Sequence, residues 1–133
     1  MALQFDTTLR NNMLDQITSR VGASGRLKLY TGTEPATCAA ALSGNTLLVD
    51  MPLSAAFAAA SSGGVLTANA ITQTNAAATG TAAFFRITDS AGTTTVAQGT
   101  VSTSGADLNL NTVALVSGGP VVISSWTITA PGA

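Results

Sequence analysis

The residues able to do chemistry in this sequence are few, and most are carboxylates: Asp6, Asp15, Glu34, Asp50, Asp89 and Asp107. Two carboxylates flanking a groove are what glycoside hydrolysis needs, one as acid and one as base or nucleophile. The sequence leaves open whether Asp50 and Asp89 meet in space. Sugar grooves also want exposed aromatic rings, and only 5% of this chain is aromatic, which weighs against a carboxylate-pair enzyme. There is no histidine. Its absence removes Ser-His-Asp and Cys-His nucleophile systems and the commonest transition-metal ligand. Cys38 is the one cysteine, with no histidine to activate it and no second thiol for an intrachain disulfide. It reads as a small buried or half-buried side chain.

The remaining polar motifs read as turns. Asp89 opens D-S-A-G, where calcium would need several converging oxygens and only one carboxylate is local. The expected role is a side chain that caps its own backbone. Asp107 in S-G-A-D reads the same way. "SSGG" and "SGGP" precede strands and lack the lysine or helix N-terminus of a phosphate loop. No metal, cofactor or catalytic residue is therefore expected, and the chain reads as a non-enzyme. Tyr30 and Trp126 are ligand-stacking candidates, but the preferred place for each is a sheet edge or an interface. Arg86 lies beside Phe84 and Phe85, where its stem can cover a sheet face or meet a partner.

The elements that must position these residues are short. Residues 6–21, "DTTLRNNMLDQITSRV", fit a helix in which Leu9, Met13 and Ile17 recur every four residues, widened by Leu14 and Val21. Asp6, Thr7 or Thr8 would cap its start, Gly22 would stop it, and Arg20 suits its C-terminal dipole. The stripe is expected to pack on the rest of the fold or on another copy. From Arg26 the period becomes two: "RLKLY" alternates Leu27 and Leu29 with polar neighbours. "TGTEPATCAAALSGN" is a long loop. "TLLVDMPLSAAFAAA" gives one or two strands, with Pro52 at an edge, bend or bulge and Leu53, Ala55, Phe57 and Ala59 on one face.

Two more short strands follow in residues 63–80. "AAFFRIT" then places Ala83, Phe85 and Ile87 on one face and Phe84, Arg86 and Thr88 on the other. After the 89–92 turn, "TTTVAQGTVS" returns, "SGAD" turns, and Leu108 and Leu110 point inward. "VVISSWTIT" is the final strand. Some eight strands bounded by Gly, Asn, Asp, Ser or Pro predict an all-β, jelly-roll-like β-sandwich over 26–129 behind one N-terminal helix, in a single domain 1–133.

Charged residues make up 8% of the chain, against roughly 25% in ordinary soluble domains. With a net charge of −1 and no basic cluster, a nucleic-acid partner is not expected. Low charge leaves little repulsion between identical copies. No run approaches the roughly 18 apolar residues of a membrane span, and no secretory leader is legible before residue 12. Synthesis in a cytoplasm, with nothing legible that routes the chain out of it, follows as an expectation.

The runs "LKLYTGTEPAT", "SGGVLTANAIT", "AAFFRITDSAGTTTVAQGTVSTSGADLNLNT" and "VSGGPVVISSWTIT" resemble the small structural proteins of tailed bacteriophages, and among them the capsid cement, or decoration, proteins. The similarity runs from about residue 9 to residue 129 and rests on the order of motifs, none of them catalytic. The resemblance implies a jelly-roll-like fold, no enzymatic activity, and self-association on the outer surface of the virion's capsid. The expected partners are the major capsid protein and the chain itself, as a homodimer or else a trimer. Candidate contact residues are Leu9, Met13, Ile17, Arg20, Tyr30, Arg86 and Trp126. A tail- or fibre-associated β-module of the virion, binding carbohydrate on a host, is the alternative. The run from Met1 to "APGA" reads as a complete gene product, unlike a segment of a long fibre.

Overall fold

The computed structural model describes residues 3–132. The chain runs α1 (Thr7–Val21), β1 (Arg26–Tyr30), β2 (Leu47–Pro52), β3 (Val65–Thr67), β4 (Thr74–Asn75), β5 (Gly80–Thr81), β6 (Phe84–Thr88), β7 (Thr95–Ser102), β8 (Leu108–Asn109), β9 (Ala114–Leu115), β10 (Pro120–Val121) and β11 (Thr127–Thr129). It is an all-β fold with one helix. Residues 1, 2 and 133 of the expected domain lie outside the described residues.

A five-stranded sheet in the order β2-β1-β6-β7-β8 forms the frame, with two-stranded ribbons β4/β10, β3/β11 and β5/β9 beside it. β6 lies at the centre of the frame, and all five of its residues are buried. Its pleat divides them as the alternation predicts. Phe85 and Ile87 pair with Leu29 and Leu27 of β1 on the core side, while Phe84, Arg86 and Thr88 pair with Tyr30, Lys28 and Arg26 on the other. The core cluster joins Leu27, Leu29, Phe85, Ile87, Leu108 and Leu110 to Leu66, Val121 and Leu115 of the ribbons and to Leu14 and Val21 of α1. Leu108 and Leu110 thus point inward, as expected.

The helix begins and ends as its sequence says. Asp6 Oδ1 accepts from the Leu9 amide at 2.7 Å, satisfying one of the orphan donors of the first turn. Gly22, at φ 71°, donates its amide to the Thr18 carbonyl. The buried stripe differs from the expected one. Arg10, Leu14 and Val21 face inward, Ile17 is half-buried, and Leu9 and Met13 are 44% and 38% exposed. The reason is polar anchoring. Arg10 Nη2 donates to the Ala130 carbonyl at 2.9 Å, Asn11 Oδ1 accepts from Gly64 N at 2.9 Å, and Asp15 Oδ1 accepts from Ser61 N at 2.8 Å. These bonds set the rotation of the helix. A Cβ at Gly64 would overlap the Arg10 guanidinium.

Three strand expectations are corrected. Residues 53–60 form bends and a single bridge, not a second strand: Leu53, Phe57 and Ala58 are buried while Ala55 and Ala59 are exposed. The segment is held from residues 69 and 70, by Asn69 N on the Phe57 carbonyl and Ser54 Oγ on the Ala70 carbonyl. "VVISSWTIT" is split into β10 and β11, with Ile123 and Trp126 buried between them and Ser124 and Ser125 exposed. β8 runs parallel to β7, with Val101 opposite Leu108, so the "SGAD" segment is a loop back to the same direction and not a hairpin turn.

Candidate functional site

The sheet face opposite the core carries the charge. In register across β2, β1, β6 and β7 stand Asp50, Lys28, Arg86 and Gln98. Arg26, two residues from Lys28, shares the face and is paired with Asp50 at 2.6 Å. The loop of residues 31–46 lies over this row. Gln98 Nε2 donates to the Pro35 carbonyl at 2.7 Å, and Arg86 Nη2 donates to the Ala40 carbonyl at 2.8 Å and to that of Thr37 at 3.4 Å. Asn45 Nδ2 closes the loop on the carbonyls of Thr31 and Thr33. The long linker is therefore ordered by two side chains that project from the sheet beneath it.

Three of the expected contact residues lie inside the molecule. Tyr30 is buried and stacked on Phe84, ring centroids 5.2 Å apart at 16°. It belongs to β1, an interior strand, and not to a sheet edge. Burial raises its phenol pKa against the lowering effect of Arg86. Trp126 is buried between Phe57 and Phe85 in two edge-to-face contacts, at 5.5 and 4.9 Å, and its Nε1 donates to the Asp107 carbonyl at 2.9 Å. Arg86 is 7% exposed, with Nε on Gln98 and Nη2 on the loop carbonyls. Tyr30 and Trp126 are corrected from contact surface to interior, and Arg86 from an open sheet face to the wall of a cleft under the loop. Leu9, Met13 and Arg20 are exposed on α1, with Ile17 half-buried at a cleft shared with Ala97 and Ile128.

The bonded carboxylates each have their own partner. Asp50 pairs with Arg26. Asp89 accepts from Thr93 N at 3.2 Å and Thr94 N at 3.5 Å, the expected turn closure. Its pKa is lowered: burial pushes it up, but the turn amides outweigh that. The Ser61 amide and hydroxyl hold the Asp15 carboxyl below its ordinary value. Asp107 departs from expectation. Instead of capping its own turn, it reaches back seven residues and accepts from Thr100 N at 3.0 Å and Thr100 Oγ1 at 3.2 Å. Gly99 leaves room for it, since a Cβ there would stand 2.7 Å from Asp107 Oδ2. Among the described residues no group of three or more His, Cys, Asp or Glu stands close enough to hold a metal ion. Among the same residues no helix is long and apolar enough to cross a membrane.

At the end of the fold near β8, a groove of about 420 Å³ runs between the 103–111 and 124–127 segments. Asn109, Asn111, Ser124 and Ser125 line it beside Trp126 and the exposed Asp107. Nothing in the sequence marked this groove, because its walls come from segments some fifteen residues apart that read largely as separate strands. No protein-family model, curated protein or solved structure matches this chain.

Proposed function

We propose that this chain is a structural virion protein, a capsid cement that binds the outside of a major capsid shell and braces it against internal DNA pressure. In this reading the fold is a jelly-roll-like sandwich, the five-stranded sheet forming one layer and the ribbons with α1 the other. The observation that carries the reading is where the carboxylates go. Asp6 caps a helix, Asp15 and Asp107 hold backbone amides, Asp50 is paired, and Asp89 closes a turn. Five of the six carboxylates are used this way, Glu34 on the 31–46 loop being the sixth, which favours a protein that acts through its surface. The resemblance of the ordered motifs to cement proteins supplies the rest of the proposal.

The surface of α1 that Leu9, Met13 and Arg20 share is the proposed contact, either with the shell or with a second copy. Interface cores are depleted in charge, and 8% charge permits dense packing of copies. A homodimer touching two capsid subunits gains from effective concentration, by about 10²–10⁴ over a single contact. The protein is made in the host cytoplasm and resides on the virion, without nucleic acid, membrane or cofactor as partner.

The test is to strip the protein from particles and add it back at low and at high salt. Recovery of heat and pressure resistance in both, saturating at a fixed copy number, is expected. A phosphate-tracking protein would lose about 10³–10⁵ in affinity across a modest salt increase. Recovery only at low salt, or no saturation, overturns the cement reading. The polar groove of Asn109, Asn111, Ser124 and Ser125 favours a second reading, a carbohydrate-binding module of the tail or fibre. A glycan array separates the two, because a cement binds nothing there.

A further inference from the structure

A guanidinium presents five N–H donors and no acceptor. Arg86 uses three of them: Nε on Gln98 Oε1 at 3.1 Å, and Nη2 on the carbonyls of Ala40 and Thr37. Nη1 makes no hydrogen bond among the described residues and is not one of the polar atoms sealed from solvent without a partner. The side chain lines a cleft of about 480 Å³ between the 31–46 loop and the turn after β6, with Cys38, Ala39, Ala41 and Thr93–Thr95 as its other walls. Nη1 is the nitrogen left to face it.

The charge of Arg86 is also unanswered. The ion pair among the described residues is Arg26–Asp50, so Arg86, 93% buried by its 7% exposure, is met only by amide and carbonyl dipoles. A cation withdrawn this far from water is costly unless a counter-charge completes its shell. Lys28, opposite Arg86 in the ladder, sends its Nζ to the turn at Gly92, beside Thr93 on the cleft wall. Arg86 thus lines the cleft and Lys28 lies beside its threonine wall; neither is ion-paired among the described residues, and the one carboxylate at that wall, Asp89, is held by the Thr93 and Thr94 amides.

We propose that the Arg86 cleft is an oxyanion site that takes a carboxylate. Arg86 Nη1 donates to it, and Lys28 adds charge from the rim. The alanine and threonine methyls of the walls favour an anion with a short aliphatic stem, as in acetate or an Asp or Glu side chain, over a fully hydrated phosphate. Such a contact is sheltered, so salt screens it less than a surface pair. This site is independent of the cement reading: it exists whether the carboxylate is a free acid or belongs to a docking partner.

The experiment titrates the full chain with sodium acetate against sodium chloride at constant ionic strength and pH 7. It follows the Arg86 side-chain ¹⁵N resonances and the amides of Thr93–Thr95. A saturable shift with acetate and none with chloride is expected. Arg86→Met should abolish it. Because that change also unpins the loop, a second variant leaves the arginine in place: Ala41→Glu, at an exposed wall position, supplies an internal carboxylate. It should weaken the acetate response at least tenfold and raise Tm at pH 7, with the gain lost below pH 4. Two further arms use inorganic phosphate and the blocked peptide acetyl-Ala-Glu-Ala-amide. Peptide binding tighter than acetate assigns the site to a partner's side chain, and acetate binding alone assigns it to a free acid. Linear shifts with every anion, saturation by phosphate only, or an unchanged acetate response in Ala41→Glu overturns the proposal.

Discussion

Phe85→Ala tests the assignment of the sheet's two faces. Phe85 is 4% exposed on the central strand, with its ring 4.9 Å from that of Trp126 at 82°. Across the ladder it faces Gly99, where a Cβ would stand only 2.8 Å from the ring. The ring thus fills space that neither neighbour can reclaim, because the strands on both sides hold the backbone in place. Truncation to alanine in such a site costs about 3–5 kcal/mol, of which the edge-to-face contact accounts for about 0.5–1.5. Against a total stability of about 5–15 kcal/mol, that is a large share. At roughly 3–5 °C per kcal/mol for a domain of this size, Tm should fall by about 10–20 °C. Urea unfolding followed by fluorescence of Trp126, the only tryptophan, reads the change beside the cavity, and circular dichroism reads it globally. The two should give one midpoint, lowered at unchanged slope. Leu9→Ala, at a position 44% exposed, should stay within about 0.5 kcal/mol in the isolated chain. A Phe85→Ala midpoint as close to wild type as that of Leu9→Ala would mean that the two faces of β6 are assigned in reverse.

Gly99→Ala should destabilise by about 1–3 kcal/mol, because the added methyl meets Asp107 Oδ2 at 2.7 Å and the Phe85 ring at 2.8 Å; urea unfolding would expose an error if stability were unchanged. Tyr30 is the only tyrosine, so absorbance at 295 nm reports it alone. With its folded pKa raised above 10.0 by burial, the native chain keeps a proton that the unfolded chain loses, and stability should fall as pH climbs past 10; a native titration at or below 10 would refute the burial. Asp15 and Asp89 have folded pKa values below 3.8, so their contribution is present above that value and fades as pH drops through the folded ones. Asp15→Asn and Asp89→Asn should each flatten the acid limb of the stability curve, and an unaltered limb in both would remove these bonds as its cause. On the cement proposal, replacing Asp50, Asp107 or Glu34 with its amide should leave virion infectivity within a few-fold, whereas complete loss with folding and incorporation intact would reveal an active site.

Local patterns in the chain were sufficient for α1, β1, the division of β6 into two faces and the Asp89 turn. Each depends on contacts within a few residues: a cap at Asp6, a stop at Gly22, and a period of two in Leu27 and Leu29 or in Phe85 and Ile87. Pro52 was legible for the same reason, since a residue without an amide donor fits the outer strand β2, where no neighbour needs that bond. The rotation of α1 was not legible. It is set by Arg10, Asn11 and Asp15 reaching partners at 130, 64 and 61, and periodicity weighs only apolar residues. The alanine-rich run 55–60 misled because methyl groups express little preference between faces. Tyr30, Arg86 and Trp126 looked like surface candidates because a polar tip on a strand usually meets water. Each instead found its partner across the fold, on Phe84, on the 37–40 carbonyls and on the Asp107 carbonyl. The Arg86 cleft and the groove at Asn109 belong to the same class. They exist only where segments distant in sequence are brought within hydrogen-bonding range, and that proximity is decided by packing of the whole chain, which no local pattern encodes.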